Sequence, residues 1–397
     1  MELSPQKKIL FLYPYGYWRA NPICVSLIER CQSDNLSFDL FCPTASHCLG
    51  EGKEIAEWVW FVRRIIPSAI KQSFRRPWKS KTIWESVVQF FRLKGLIHQN
   101  YYSLIVTCDA TGLSLLSQMK LPQKIPVVYL SFHILFRSEL RTANERALAR
   151  NENALLSSIS LAMSQDETRM RLLSKELDLS QELFDCIAVA PEERFPFPPK
   201  ISTNTPRKMV LYCGNLEKWN VEEILEKVAR NIPPEFYLRV HTHFKPPNQL
   251  LNKIRYLEKR NQLHFTFDFH DERGLVDLID ESYIGLAPYF PQPSSWMVNQ
   301  TLFHIGKAST KIAYYCSRKK PVITTPLPSL QEALSKYPFG VALTDWADIG
   351  SAIAQIDSSY SLFSENAYRY YQGELNPTLG LNQFWEKTKA LIPKTSA

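Results

Sequence analysis

Short apolar runs alternate with helix-like stretches along most of the chain, and no other feature of the sequence restricts the fold as strongly. A run that stays apolar residue after residue is typical of a strand buried on both faces, as in a parallel sheet covered by helices. A helical pattern over 21–31 follows the first run. In the first half such runs occupy residues 7–15, 36–41, 102–108, 125–130 and 161–164. The first half is therefore predicted to be an α/β domain.

A proline-rich segment then interrupts the alternation. It reads APEERFPFPPKISTNTPRK, residues 190–208, and such a density of proline forbids a helix or a central strand. After it, apolar runs and helical patterns restart and continue to residue 337. The runs cover 209–214, 237–244, 263–269, 283–289 and 321–325, and the helical patterns 221–230, 247–260, 274–281, 308–316 and 330–337.

The predicted organisation is two similar α/β domains facing a central cleft. The N-terminal domain spans 1–195, a linker 196–207 and the C-terminal domain 208–375, and a helix within 376–397 packs back on the N-terminal domain. Ligands of open parallel sheets bind outside the carboxyl ends of the strands, so residues directly after a strand are the first candidates for a functional site.

The composition fits a globular protein and argues against a secreted, disulfide-linked protein and against a membrane-spanning one. A chain of 397 residues, 45% hydrophobic and 22% charged, is too long for one ordinary core, and its formal charge of +8 suits an anionic partner. The eight cysteines are scattered without a CxxC pair, which predicts a reduced cytosolic protein. The apolar core ILFLY is too short for a signal peptide, and prolines break the apolar run 283–306, so no transmembrane helix is expected.

Three motifs in the second half, together with their order, resemble those of GT-B glycosyltransferases, in particular the large retaining group that uses nucleotide-sugar donors. They are KMVLYCGNLEKWNVEEIL, YIGLAPYFPQPS and KASTKIAYYCSRKKPVITTPLPSLQEAL, and weaker echoes are SLAMSQDETRMRLL and AVAPEERF. The resemblance implies two Rossmann-like domains, a nucleotide-sugar donor as substrate, no cofactor, no bound metal and stereochemical retention.

The first motif places a glycine turn after a strand, where backbone N–H groups can approach a diphosphate. Gly214 supplies the turn, Asn215 a hydrogen bond and Lys218 a cationic charge, and a plain strand-to-helix turn is the alternative interpretation. Relatives often carry an arginine at the place of Asn215. In this chain Lys218 would balance the diphosphate charge instead, with a single ammonium in place of the two parallel hydrogen bonds of arginine.

The other two motifs complete the predicted donor site. Pro288 and Tyr289 lie in the loop that the resemblance places beside the donor. Ser309, Thr310 and Lys311 begin a helix, where hydroxyls, N–H groups and an ammonium converge on one anion-sized place. A simple helix cap with a solvated lysine is the alternative.

Three positions depart from the family pattern. Tyr314 stands where relatives carry a glutamate that bonds the donor ribose, and it is predicted to offer its hydroxyl there instead. Gly306 stands near the place of a second acid, and Lys319 stands where a glycine is usual. These departures motivate the alternative that the chain is a catalytically inactive GT-B homologue acting as a partner or scaffold subunit.

The first domain holds the predicted acceptor and catalytic residues. Tyr15, Gly16, Tyr17, Trp18 and Arg19 follow the first strand and offer stacking surface and charge to a sugar or lipid phosphate, the alternative being a turn packed on its own helix.

Two polar side chains that follow later strands are the predicted catalytic residues. His133 is assigned by resemblance to the reacting sugar or the leaving group, although a lone histidine there is more often structural. Asp109 is a comparable strand-end residue whose alternative role is a helix cap.

Two histidine clusters invite a metal interpretation. His241 and His243 are spaced for one face of a strand, and Asp268, His270 and Asp271 follow the next. Neither has a third ligand of defined spacing, so no metal site is predicted.

Residues 58–98 combine nine Lys/Arg with one acid, Glu85, and interleave four tryptophans with phenylalanines. Such a composition suits an anionic membrane surface, and two amphipathic helices with buried rings are the alternative. No RNA-binding module is present, and no nucleic-acid partner is expected.

The predicted function is transfer of a sugar from a nucleoside diphosphate sugar to a saccharide or lipid-linked acceptor, in polysaccharide or glycoconjugate synthesis. The expected location is the cytoplasm, with peripheral contact to the inner face of the membrane. A nucleotide-dependent dehydrogenase is disfavoured because no GxGxxG follows any predicted strand.

Overall fold

The computed structural model describes most of the chain outside its first residues and a long stretch of the first half. The described residues are 8–14, 18–41, 93–95, 97–99, 101–119, 121, 125–197, 207–217, 219–222, 224–243, 245–260, 262–268, 270–293, 295 and 297–393. Of the predicted site residues, Tyr15, Gly16, Tyr17 and Lys218 lie outside this set. So do residues 58–92 of the predicted membrane-facing stretch.

The chain forms two compact units, of which the first comprises Met1–Ile187 and Thr378–Ala397. Its sheet has six parallel strands in the order β2-β1-β3-β4-β5-β6. The strands are β1 (Lys8–Leu12), β2 (Phe38–Phe41), β3 (Tyr102–Cys108), β4 (Val127–Leu130), β5 (Ile159–Ser164) and β6 (Phe184–Cys186). The chain runs outward from β1 to β2 and then crosses to β3 on the other side, so the direction of winding reverses between β1 and β3.

The second unit comprises Ala188–Pro377. It also has six parallel strands, in the order β12-β11-β10-β7-β8-β9. The strands are β7 (Lys208–Cys213), β8 (Phe236–Thr242), β9 (Leu263–Phe267), β10 (Ile284–Ala287), β11 (Val322–Thr324) and β12 (Gly340–Ala342). This is the Rossmann order, and its topological switch point lies between β7 and β10.

Helices connect the strands and cover the sheets. In chain order they are α1 (Pro22–Ser33), α2 (Asp109–Met119), α3 (Ala143–Asn153), α4 (Glu167–Leu177), α5 (Leu225–Asn231), α6 (Asn248–Lys259), α7 (Glu272–Glu281), α8 (Gln300–Phe303), α9 (Thr310–Ser317), α10 (Pro328–Lys336), α11 (Ile349–Ser358), α12 (Tyr360–Tyr370) and α13 (Thr378–Ala390).

The continuous apolar runs form strands because both of their faces are covered. All four residues of β4 and all four of β10 are buried. The predicted α/β fold with two Rossmann-like domains is confirmed. The edge strands β6 and β12 are absent from the sequence prediction, because three residues are too few to show a period.

The last helix, α13, packs on α1 and β6 within the first unit. The indole Nε1 of Trp385, a residue 4% exposed, donates to Asp34 Oδ2 at 2.8 Å, and Arg30 donates to Asn382 Oδ1 at 2.8 Å. Among the described residues, no helix combines the length and the apolar character that a membrane span requires.

The proline-rich stretch is held by backbone contacts where it is described. Val189 N donates to Lys307 O at 2.9 Å, and the Tyr371 hydroxyl donates to Pro191 O at 2.8 Å. Arg318 donates to the carbonyls of Phe195 and Pro196 and forms a buried ion pair with Asp280, 2.6 Å from Nη2 to Oδ2. Residues 188–197 thus pack as part of the second unit.

Candidate active site

The glycine turn after β7 lies at the switch point of the second sheet. Gly214 has φ +152°, a backbone conformation that side chains rarely adopt, and its N–H donates to His241 O on β8 at 3.0 Å. Because β7 lies between β10 and β8, the turn is the central point of the carboxyl edge. A ligand bound at this edge meets backbone here rather than a side chain.

Lys311, in the first turn of α9, reaches this glycine. A Cβ placed on Gly214 would lie 2.7 Å from Cε and 3.4 Å from Nζ of Lys311. The structure therefore brings together the glycine of the first motif and the lysine of the third.

Aromatic rings surround the Lys311 ammonium. Its Nζ lies 5.0 Å from the ring centre of Tyr289, 5.6 Å from that of Trp219 and 5.7 Å from that of Tyr212. Loss of hydration lowers the pKa of Lys311 to about 8, while the nearby Cys213 and Glu217 act in the opposite direction. The rings stabilise the charged form of the lysine without neutralising it, so its charge remains available to an anion.

Asn220 is the polar neighbour of this lysine, and the sequence prediction does not include it. It is fully buried, and its Oδ1 accepts from Lys311 Nζ at 3.3 Å. Its Nδ2 is buried without a hydrogen-bond partner among the described residues. An N–H donor in that state, beside an ammonium, suits an anionic ligand. Asn215, by contrast, is exposed, and its carbonyl accepts from the Tyr212 hydroxyl.

Helix α9 is fixed to the sheet by Tyr315. The Tyr315 hydroxyl accepts from Cys213 N at 3.1 Å and donates to Leu211 O at 2.9 Å, so it bridges two residues of β7. Its ring lies on Gly285, where a Cβ would come within 2.4 Å of ring carbons. Tyr315 thereby sets the distance between Lys311 and the glycine turn.

The remaining predicted donor residues lie at the start of α9 and after β10. Ser309 caps the helix, because its Oγ accepts from Ile312 N at 3.2 Å, and it also bonds the Tyr289 hydroxyl at 2.6 Å. Tyr289 is 2% exposed and stacks on Trp219. Pro288 is buried and Thr310 is half-buried. Ser309 and Tyr289 therefore position α9 through their mutual bond.

Two of the departures from the family pattern have a structural account. Tyr314 is 6% exposed within the apolar core, and burial together with the nearby Glu272 carboxylate raises the pKa of its hydroxyl. Lys319 has φ +58°, the left-handed conformation that glycine supplies most easily. Its ammonium lies 4.6 Å from the Phe197 ring centre and 4.7 Å from that of Tyr368. The backbone at 319 thus keeps the glycine-like conformation with a lysine in place.

A cavity of about 440 Å³ opens at the carboxyl ends of β8 and β9. Its lining combines basic, acidic, aromatic and apolar side chains. They are Arg239, His241, Leu251, Arg255, Glu258, Phe265, Thr266, Phe267, Asp268 and His270. The volume lies within the range of small-molecule sites.

His241 connects this cavity to the glycine turn. It is fully buried, its Nδ1 lies 2.9 Å from Thr266 Oγ1, and its ring stacks on His270 with centres 4.5 Å apart. Its Nε2 has no hydrogen-bond partner among the described residues. Burial, with His270 and His243 adding, lowers its pKa to about 4, so the imidazole is neutral at physiological pH.

The rings of these histidines contact one another rather than converging on one point. The rings of His241 and His243 are perpendicular, with centres 5.8 Å apart. Within the described part of the chain, no three His, Cys, Asp or Glu side chains are placed to hold a metal ion.

In the first unit, Asp109 and His133 form one pair although 24 residues separate them. Asp109 Oδ2 lies 2.8 Å from His133 Nδ1, and Asp109 is fully buried while the His133 side chain is 34% exposed. Asp109 follows β3, at the switch point of the first sheet, and has φ +54°. A left-handed aspartate at a strand end is a costly conformation that the surrounding contacts must hold in place.

The described part of the predicted acceptor loop is Trp18 and Arg19. Both are half-buried, and the Arg19 guanidinium lies 5.3 Å from the Trp18 ring centre. Trp18 also packs near Tyr13 and Cys24 beside β1.

The fold resembles several solved structures. HepE of Anabaena in complex with UDP-glucose aligns with a TM-score of 0.66 at 15% identity, covering 96% of this chain and 99% of that one. Sucrose-phosphate synthase of Thermosynechococcus elongatus aligns at 0.66 and 13%, covering 97% and 99%. UDP-GlcNAc 2-epimerase of Neisseria meningitidis bound to UDP-GlcNAc aligns at 0.56 and 13%, covering 97% and 98%.

No protein-family model and no curated protein sequence matches the chain. At identities this low, the structural likeness establishes the fold and leaves the activity to be argued from the site. The alignments extend over almost the full length of both chains, and the two Rossmann-like sheets agree with them. The chain therefore has the two-domain fold of the GT-B glycosyltransferases.

Proposed function

We propose that the protein is a glycosyltransferase that moves a sugar from a nucleoside diphosphate donor to a saccharide or lipid-linked acceptor. The observation that carries the proposal is the approach of Lys311 to the Gly214 turn at the switch point of the second sheet. A cation and a glycine turn at that place suit a diphosphate. The likeness to HepE with UDP-glucose and to an epimerase with UDP-GlcNAc supports the same ligand class.

The second unit binds the donor in two parts. The diphosphate lies against the Gly214 turn, where Lys311 and Asn220 Nδ2 face it and the N-terminus of α9 adds a favourable field. The nucleoside lies in the adjoining cavity, where the neutral imidazole of His241 offers Nε2 to the base or the ribose. Tyr289, through its bond to Ser309, holds the start of α9 at this place, and Pro288 and Tyr314 are buried in the same unit.

The reaction transfers a glycosyl group. A bond forms between an acceptor hydroxyl oxygen and C1 of the sugar, and the bond from C1 to the β-phosphate oxygen breaks. With retention, which the resemblance implies, the hydroxyl proton passes to the departing phosphate oxygen on the same face. Lys311 stabilises the charge on that leaving group, and His133, held by Asp109 through Nδ1, presents Nε2 to the sugar or the phosphate. No metal takes part in this proposal.

The acceptor assignment rests on the first unit. Tyr15, Gly16, Tyr17, Trp18 and Arg19 follow β1 in the sequence, and their residue types suit the binding of a saccharide or a lipid-linked sugar. The basic, aromatic composition of residues 58–98 supports, as part of this proposal, contact with the anionic inner face of a membrane and a lipid-linked acceptor for polysaccharide synthesis.

Calorimetry and product analysis test the proposal. UDP, GDP and ADP are titrated into the protein, and UDP-glucose is then incubated with it while UDP release is followed. We expect one nucleotide to bind and His133→Ala to lower UDP release per folded molecule by about 100-fold. The matched control is His264→Ala, because His264 is exposed on β9. Absence of binding by all three nucleotides would refute the donor site.

One outcome favours the second candidate. A protein that binds UDP but releases no nucleoside diphosphate from UDP-glucose, UDP-GlcNAc, UDP-galactose or the GDP-sugars at any acceptor tested is an inactive homologue, the alternative that Tyr314 and Lys319 motivate. For an active enzyme, the anomeric configuration of the product read by proton NMR decides retention.

A further inference from the structure

The imidazole of His133 stands on a short turn, Ser131–His133, that follows β4. Strand β4 lies between β3 and β5, so residues at the ends of both neighbouring strands can reach this turn. Asp109 follows β3, and Gln165 follows β5. The backbone polar groups of the turn are bonded to both.

On the side of β3, the Asp109 carboxylate accepts hydrogen bonds from the backbone amides of the turn. Its Oδ1 accepts from Phe132 N at 2.5 Å and from His133 N at 2.9 Å, while its Oδ2 meets His133 Nδ1. One carboxylate thus orders the backbone and the imidazole together. Its contact with Nδ1 leaves Nε2 as the ring nitrogen opposite the carboxylate.

On the side of β5, two side chains donate hydrogen bonds to the backbone carbonyls of the turn. Gln165 Nε2 donates to Ser131 O at 2.5 Å, and Arg169 Nη2 donates to Phe132 O at 2.8 Å. Gln165 and Arg169 are also joined to each other, 2.5 Å from Arg169 Nε to Gln165 Oε1, since Gln165 directly precedes the N-cap residue Asp166 and Arg169 lies in the first turn of α4. Both are at most 1% exposed.

A fully buried guanidinium is costly, and burial lowers the pKa of Arg169 to about 10 against the favourable charges of Asp166 and Asp109. A core could be filled at this place by apolar side chains of similar volume. The use of Gln165 and Arg169 instead, on two consecutive carbonyls of the turn that carries His133, indicates a positioning task.

We propose that Gln165 and Arg169 are positioning residues for His133, fixing its turn from the side opposite Asp109 so that the imidazole keeps one orientation. The inference rests on the proposed transferase function for its consequence in catalysis, but the orientation itself is a property of the protein without substrate.

The test uses Gln165→Met, which keeps the volume and removes both polar atoms, and Arg169→Lys, which keeps the charge and removes the fork. The matched control is Arg171→Met on the same helix, where Arg171 is exposed. Each variant of the full chain is examined by 13Cε1–1Hε1 correlation spectra of labelled histidines, with the His133 signal assigned by its loss in His133→Ala. UDP-glucose turnover per folded molecule is measured alongside.

We expect Gln165→Met to shift or broaden the His133 signal and to lower kcat for UDP release about 10-fold or more, with KM for UDP-glucose changed less than threefold. Arg169→Lys should lie between wild type and Gln165→Met, and Arg171→Met should match wild type. An unchanged His133 signal in a folded Gln165→Met, with kcat within twofold of wild type, overturns the inference.

The two proposals fail separately. If wild type does not turn over UDP-glucose, the His133 spectra alone decide the positioning inference: a shift in Gln165→Met supports it, and no shift overturns it. If Gln165→Met does not fold, Arg169→Lys and Gln165→Glu, which keeps the bond to Arg169, take its place under the same criteria.

Discussion

Lys311 Cε would lie 2.7 Å from a Cβ on Gly214, so the lysine occupies space that is open only because residue 214 is glycine. The two residues are separated by about half of the second unit in sequence, and the hydroxyl of Tyr315, bonded to β7, keeps them at this distance. Glycine at position 214 therefore has two roles: it leaves room for the Lys311 side chain, and it allows a φ of +152°.

The first prediction concerns Gly214→Ala. The new methyl group displaces Lys311 and strains the backbone, so affinity for UDP should fall by about 10-fold or more, and stability by roughly 1–3 kcal/mol. Calorimetry with UDP and urea unfolding measure the two effects. Gly95→Ala is the control, because no atom of the described residues lies within 4 Å of its added methyl. Equal UDP affinity in Gly214→Ala and wild type would exclude a ligand at this turn.

The second prediction concerns the charge of Lys311. Its pKa of about 8 in the folded protein lies below the value of 10.5 that an unfolded lysine has, so the folded protein releases this proton first as pH rises. The unfolded state binds more protons between those values, and this group therefore makes stability increase with pH there. UDP needs the ammonium, so its affinity should fall as pH rises through 8.

Arginine stays protonated throughout this range, so Lys311→Arg should bind UDP with an affinity that is flat from pH 7 to 9.5. Lys311→Met should bind about 10- to 100-fold more weakly at pH 7 and also show a flat profile. Titrations at four pH values check this, with Lys227→Met, an exposed surface lysine, as control. A wild-type profile that is flat in the same range contradicts the assignment.

The third prediction concerns Tyr315→Phe. Loss of the hydroxyl leaves Leu211 O and Cys213 N buried without their partner, at a cost of roughly 2–4 kcal/mol in the free energy of unfolding. UDP affinity should fall as well, because α9 carries Lys311. Urea unfolding and calorimetry measure both, and Tyr256→Phe, at an exposed tyrosine, is the neutral control. A stable Tyr315→Phe with weakened UDP binding would restrict the role of the hydroxyl to the site.

The fourth prediction compares two replacements of Lys319. Both lose the contacts with Phe197 and Tyr368, but only glycine relieves the left-handed conformation. Lys319→Gly should therefore be more stable than Lys319→Ala by about 1 kcal/mol. At Lys227 on α5, an ordinary helical position, the order should be reversed. Thermal unfolding of the four variants measures this, and the same order at both positions would contradict the prediction.

Much of the fold follows from local pattern, because buried parallel strands need continuous apolar runs and these are visible in the sequence. Gly214 and Lys311 were likewise predictable from their motifs, and so were Asp109 and His133 as separate strand-end residues. That Asp109 bonds the His133 ring and turn depends on β3 lying beside β4, which no local pattern contains.

The residues missing from the sequence prediction share one physical property. Asn220, Gln165 and Arg169 are buried polar side chains that each bond a group far away along the chain, and hydropathy places such residues on the surface. Tyr315 differs from Tyr314 only in its place on the helix, and only the packing shows that 315 reaches β7. A helical wheel alone does not show which of the two tyrosines faces the sheet. That depends on where Gly285 and Cys213 lie, which only the tertiary structure gives.

The lysine at position 319 affects how this fold is detected from a sequence. A signature written in residue letters rejects this protein at position 319, because it asks for glycine. A signature written in backbone angles accepts it, because φ is +58° there. At this position the chain bends between α9 and β11, and glycine is only one means of reaching the φ that the bend requires. In this chain the backbone angle of the turn, rather than the residue type, marks the position.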